Sequence, residues 1–148
     1  MKELREKIVE EAKSWLGTNW HHEARVKGGG VDCGMLLLEV FKNAGIIPYI
    51  KPTHYGPDFM CHRDEEWFLD IVKQYADEVQ EDPLPGDVII YKIGRLFCHG
   101  MIIIDYPMAI HAHKNEKAVV WCDVSRPPWI NKDKKMFRAR VLSDCSAS

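Results

Sequence analysis

Along residues 3–16 the apolar side chains Leu4, Ile8, Ala12 and Leu16 recur every fourth position, with Val9 and Trp15 beside that stripe and Glu and Lys between. This period predicts an amphipathic helix with a charged outer face, ended by Gly17-Thr18. Residues 18–32 lose the period and read as a loop that closes on Gly28-Gly29-Gly30-Val31-Asp32. Asp32 is a suitable N-cap for a second helix over 33–44. That helix is apolar through Met35-Leu36-Leu37-Leu38 and Val40-Phe41, which predicts burial, and Gly45 stops it. Residues 46–63, rich in Pro, Tyr and His, read as a long surface connection. Helical period returns over 64–79 through Phe68, Ile71, Val72, Tyr75 and Val79, with Asp64, Glu65 and Glu66 placed to complement the dipole of the first turn.

After the turn Pro83-Leu84-Pro85-Gly86-Asp87 the pattern becomes that of strands, at 88–91, 99–104, 107–113, 117–124 and 136–142. Helices first and strands after is the order of an α+β domain with an antiparallel sheet. With 148 residues the chain reads as one domain over 1–148.

Charge and cysteine usage narrow the function classes. Twenty basic against twenty-two acidic side chains leave −2, so no basic footprint for nucleic acid is expected. The apolar run Met101-Ile102-Ile103-Ile104 suits a buried strand, and no apolar run is long enough to span a bilayer. The start Lys2-Glu3-Leu4-Arg5-Glu6-Lys7 has no signal-peptide core, so synthesis in the cytoplasm without a leader is expected. Cys145-Ser-Ala-Ser at the end formally matches a prenylation box, but its middle positions are not aliphatic and it reads as a frayed tail. The five cysteines at 33, 61, 98, 122 and 145 are odd in number and irregular in spacing, which argues against a disulfide framework. No CxxC pair is present, so a zinc ribbon is not expected either. Reduced thiols follow, and the question is whether one is reactive.

Cys33 stands directly after the N-cap candidate, at the start of a helix. Unpaired N–H groups and the positive dipole end favour a thiolate there and can hold a developing oxyanion. A small hydrophobe packed at a helix start fits the same position equally well. His99 opens the apolar strand at 99–104 and is a candidate base; a histidine at a sheet edge is the bland alternative. A hairpin through Asp105-Tyr106-Pro107 would make His99 and His111 near cross-strand neighbours, with His113 on the same face as His111. His111 can then orient the base.

The blocks Trp15-Leu16-Gly17-Thr18-Asn19-Trp20-His21-His22 and Gly30-Val31-Asp32-Cys33-Gly34-Met35-Leu36-Leu37 resemble the NlpC family of papain-like cell-wall peptidases, closest to its phage-type branch. Leu84-Pro85-Gly86-Asp87-Val88, Cys98-His99-Gly100-Met101-Ile102-Ile103 and Ile110-His111-Ala112 resemble the family's later blocks, in order, over roughly residues 10–140. The resemblance implies a papain-like fold, with N-terminal helices packed on a central antiparallel sheet of about five to six strands. It implies Cys33 as nucleophile, His99 as base and His111 as orienter. Trp20, with Asp32 and Gly34, is implied at the oxyanion and substrate-binding side; the family more often has tyrosine at the Trp20 place. The implied reaction is cleavage of a peptidoglycan stem peptide, typically between D-glutamate and diaminopimelate or lysine, with no cofactor. Where the family commonly shows a small residue and then glycine after the nucleophile, this chain has Gly34 and then Met35, a bulk expected to bear on substrate specificity.

Two other readings compete. A phage or prophage tail-assembly protein that has kept the peptidase fold would also fit the small size, with tail proteins as partners and a phage particle as the route to the wall. A metal site is disfavoured, because His21 and His22 are adjacent and diverge on an extended segment, and no strong ligand spacing occurs. His54 and His62 read as loop histidines. Trp67, Phe68, Trp121 and Trp129 read as core or rim packing, with Pro127-Pro128-Trp129 a rigid loop at the cleft border. No carboxylate pair supports a glycosidase.

Overall fold

The computed structural model describes residues 2–51 and 65–146. Helix α1, Lys2–Ser14, turns Ile8 and Ala12 into the core, as its period requires. Gly17 follows with φ +86°, a left-handed conformation that costs glycine nothing. The chain then lies along a strand near the sheet edge: the Gly17 and Trp20 N–H groups donate to the Val119 and Lys117 carbonyls at 3.0 and 2.8 Å. Within the expected loop 18–32, Arg25–Val26 (β1) and Gly30–Val31 (β2) pair as a two-stranded hairpin.

Helix α2 spans Cys33–Asn43. Its cap is the expected one: Asp32 Oδ1 accepts the Met35 N–H at 2.9 Å. The second carboxylate oxygen accepts the Glu23 N–H at 2.8 Å, tying the cap to the preceding loop. Every residue from Gly34 to Phe41 is buried. The surface connection expected over 46–63 is described only to residue 51, and those six residues form neither helix nor strand; His54, Cys61 and His62 lie outside the described residues.

The helix expected over 64–79 is shorter. Helix α3, Glu65–Tyr75, gives way at once to β3, Ala76–Glu78, which pairs antiparallel with β8, Lys134–Ala139. The other strands are β4 (Val88–Ile93), β5 (Leu96–Asp105), β6 (Met108–His113) and β7 (Ala118–Asp123). They form a six-stranded antiparallel sheet in the order β3-β8-β4-β5-β6-β7. The fold class is thus α+β, as expected. The strand expected over 136–142 ends at Ala139, and Arg140–Ser146 form α4.

The two sheet faces differ. Ile90, Cys98, Ile102, Ile104, Ile110 and Ala112 face the helices and form the main core with Leu36, Leu37 and Phe68. Gly100 belongs to this face, and a Cβ there would lie 2.7 Å from Leu37 Cδ2, so the Leu37 side chain packs into the space that the glycine leaves. The opposite face carries Ile89, Tyr91, Met101, Ile103 and Ala109, covered by Val124 and Trp129. The turn before β4 is pinned by buried Asp87, whose oxygens accept from Arg138 Nε at 3.0 Å and Nη2 at 2.8 Å and from the Leu84 N–H at 2.9 Å.

Candidate active site

The cap on α2 uses the Met35 N–H, the third of the helix. The first two, on Cys33 and Gly34, have no acceptor within the helix by construction. The Cys33 side chain stands at the positive end of the helix dipole, with its Sγ 3.9 Å from the Cys98 carbonyl oxygen of β5. The thiol is partly exposed. Met35 does not narrow the site: it is buried in the main core, so its bulk is absorbed behind α2.

His99 sits at the fourth position of β5 rather than at its start. It precedes Met101 by two residues, and His111 follows Ala109 by two, so both imidazoles project to the Trp129 side of the sheet. The β5–β6 ladder runs from Asp105↔Met108 only to Ile102↔Ile110. His99 and His111 lie beyond its end. There a cavity of about 700 Å³ reaches both faces: Cys33, Cys98 and Ala112 line it from the helix side, His99, His111 and Trp129 from the other. Trp20 and Asp32 also line it, whereas Gly34 is buried and is not among the described lining residues. Cys33, His99, His111, Trp20 and Asp32 thus share one cavity.

His99 Nε2 and His111 Nδ1 are 2.7 Å apart, and the rings meet edge-on at 83°. One nitrogen must donate and the other accept. If His99 Nε2 carries the hydrogen, His99 Nδ1 is left with a lone pair to accept a proton. His111 is then fixed as the Nε2–H tautomer, and the same bond survives when His99 becomes imidazolium. His111 is 2% exposed. Burial, and then the neighbouring His113, push its pKa down to about 3. Burial, followed by His111, His113 and Lys132, holds His99 well below the ordinary histidine value. His113 is lowered by burial too, with Glu116 opposing. Both members of the bonded pair are therefore neutral near pH 7, which suits His99 as a base and His111 as an orienting acceptor.

Trp129 is a site wall. Its ring stacks on His99 with centroids 5.3 Å apart and planes 20° apart, and meets His111 edge-on at 5.5 Å. The sequence placed it at the cleft border without a contact to the base. His113, on the face expected of it, stacks on His111 at 4.8 Å. His22 lines the cavity, with Nδ1 4.0 Å from Asp32 Oδ2, while His21 is exposed and is not among the described lining residues. The three clustered imidazoles do not converge on a common point, since His99 and His111 spend a nitrogen on each other. Among the described residues, no group of three or more His, Cys, Asp or Glu is arranged to hold a metal ion.

The model of the NlpC/P60 family matches residues 14–138. The chain belongs to the NlpC/P60 family. Solved structures agree on the fold at low identity. NlpC1 from Trichomonas vaginalis superposes with a TM-score of 0.68 at 18% identity, over 91% of this chain and 43% of that one. The peptidoglycan hydrolase RipB from Mycobacterium tuberculosis gives 0.62 at 15% identity, over 93% of this chain and 65% of RipB. RipD from the same organism, described as a non-catalytic NlpC/p60 domain protein adapted to peptidoglycan binding, gives 0.56 at 13% identity, over 91% and 96%. This chain spans less than half the length of the Trichomonas protein. No curated protein matches it. No helix among the described residues is long and apolar enough to cross a membrane.

Proposed function

We propose that this NlpC/P60 chain is a cysteine endopeptidase that hydrolyses peptidoglycan stem peptides at the D-glutamyl–diaminopimelate or D-glutamyl–lysine amide. One observation carries the reading: the partly exposed thiol of Cys33 at a helix N-terminus opens into the same cavity as His99, whose far nitrogen is bonded to His111 at 2.7 Å. A non-catalytic wall-binding domain has no need of an oriented, neutral imidazole beside a helix-start thiol.

Cys33 Sγ gives its proton to His99 Nδ1 and attacks the amide carbonyl carbon. The oxyanion of the tetrahedral intermediate takes a hydrogen bond from the Cys33 N–H at the helix start, with Trp20 framing that side. His99 Nδ1–H then protonates the leaving amine as the C–N bond breaks, leaving a thioester on Cys33. Water, deprotonated by His99, adds to the thioester carbonyl, and the thiolate leaves with a proton returned from the imidazolium. His111 accepts from His99 Nε2 throughout and keeps the ring turned toward the thiol. Trp129 closes the far side of the ring against water.

The test is digestion of muropeptides carrying a diaminopimelate or lysine stem, read by mass spectrometry. The wild-type chain releases a fragment ending in D-glutamate and a new free amine on the next residue; Cys33→Ala, folded by circular dichroism, releases neither. An intact substrate with the wild type, or equal cleavage by Cys33→Ala, overturns the reading. The phage-type resemblance adds delivery to the wall with a tail complex. Absence of the chain from purified particles of its phage or prophage would remove that part alone.

A further inference from the structure

Lys132 projects into the same cavity from the segment that joins the Trp129–Asn131 turn to β8. Its backbone is fixed on both sides. The Lys132 N–H donates to the Trp129 carbonyl at 3.2 Å, and the next residue, Asp133, accepts the Lys92 N–H of β4 at 2.9 Å. The ammonium lies 6.0 Å from the centre of the Trp129 ring, the ring that stacks on His99. Among the described residues, no carboxylate pairs with it. The cavity's own acids are elsewhere: Asp32 is engaged in capping α2, and Glu116 lies in the β6–β7 turn, where it acts on His113. A lysine at the edge of a reactive cavity, beside the base, with backbone bonds at itself and at the next residue and no acidic partner among the described residues, is a binding group for a substrate anion.

We infer that Lys132 is a specificity-determining residue that binds a carboxylate of the substrate next to the scissile amide, so that the site prefers acidic peptides over their amidated forms. This deepens the peptidase reading and rests on it for the identity of the substrate, but the charge preference itself is a property of the cavity around Cys33. The lysine sits on the His99 side of the cavity, so its partner carboxylate lies within reach of the reacting bond. A neutral carboxamide at that place forfeits the charge-assisted bond and leaves the ammonium unpaired.

Two alkylating agents of nearly equal size read this without any peptide. Iodoacetate carries a carboxylate two bonds from the carbon that Cys33 attacks; iodoacetamide carries an amide there. The ratio of their second-order rates at Cys33, measured site by site by mass spectrometry, reports the local charge. Lys132→Gln lowers the iodoacetate-to-iodoacetamide ratio about five-fold at low salt, and 0.5 M salt removes most of the difference. Lys134→Gln, a charge removed from the same stretch but outside the cavity, leaves the ratio as in the wild type. An unchanged ratio in Lys132→Gln, or an equal fall in both variants, overturns the assignment. Stem peptides with their carboxyls free or amidated in turn form the second arm. Amidating the recognised carboxyl raises KM for the wild type and has little effect on Lys132→Gln; equal effects on both proteins contradict the inference. Cleavage of no peptide, with the alkylation ratio still falling in Lys132→Gln, refutes the peptidase reading while the carboxylate site stands.

Discussion

Replacing His111 by asparagine gives a stability signature that follows from its burial. The folded-state pKa of His111 is about 3, against 6.5 for the free side chain. Between those values the unfolded chain takes up a proton that the folded chain refuses, so stability rises with pH in that window. The stability is complete above pH 6.5 and is lost as pH falls toward 3. At pH about 4.5 the free imidazole is roughly 100:1 protonated and the folded one roughly 1:30, so His111 alone costs about 3 kcal/mol relative to pH 7.5. That is a large part of a typical domain's stability of about 5–15 kcal/mol. Asparagine cannot titrate, so His111→Asn is relieved of this loss. His99 and His113 are also held below their ordinary values and contribute acid sensitivity to both proteins. The informative quantity is therefore the change in urea unfolding free energy between pH 7.5 and 4.5 in the wild type minus the same change in His111→Asn. A value near 3 kcal/mol is expected. A value below about 1 kcal/mol would refute the claim that His111 is held neutral by burial, and with it the reason it can accept from His99.

Three further outcomes follow from the same geometry. In a stem-peptide rate assay His111→Asn retains more activity than His99→Ala, because the asparagine carbonyl can still accept from His99 Nε2; the reverse order would refute the role assignment. Asp87→Asn removes the carboxylate that holds the buried Arg138 guanidinium bidentately, while Glu81 still accepts from Arg138 Nη1 at 2.8 Å, and urea unfolding should show a loss of about 1–3 kcal/mol. Gly100→Ala sets a Cβ 2.7 Å from Leu37 Cδ2; a loss of about 1–3 kcal/mol is expected, together with a slower Cys33 alkylation rate as α2 shifts, and an unchanged rate would show that the helix does not move.

The sequence was most legible where causes are local. Helix α2 and its cap could be read because Asp32, the apolar run and Gly45 are adjacent, and the thiol's place at the helix start follows from them. The His99–His111 contact was legible because a short hairpin links the two strands. Strand β3 was not. Ala76-Asp77-Glu78 continues the helical period of α3, and only pairing with β8, some sixty residues later, makes it a strand. In the same way the strand expected over 136–142 took in Arg140, Val141 and Leu142, which the structure places in a helix with Leu142 buried. Trp129 is the instructive omission. Nothing in Pro127-Pro128-Trp129 says that the loop after β7 returns across the sheet to lay an indole on His99. The signal for His113 was present in its two-residue spacing from His111, but spacing alone assigns a face and not a stacking partner. Met35 shows the same limit: the sequence marks its bulk after the nucleophile, but only the fold shows that the side chain lies in the main core and not in the cavity lining.

If Cys33 and His99 act as a reactive pair, the pH dependence of thiol alkylation must show it. Cys122 provides an internal reference, since it lines the same cavity but burial, and then Asp123, push its thiol up to about 11. Iodoacetamide labelling is followed at each cysteine by mass spectrometry, in the wild type and in His99→Ala. Cys33 is expected to react well below pH ~8 while Cys98 and Cys122 lag, and His99→Ala is expected to remove the advantage. A Cys33 that titrates like a free thiol, reacts no faster than Cys122, or is indifferent to His99→Ala would contradict that pairing.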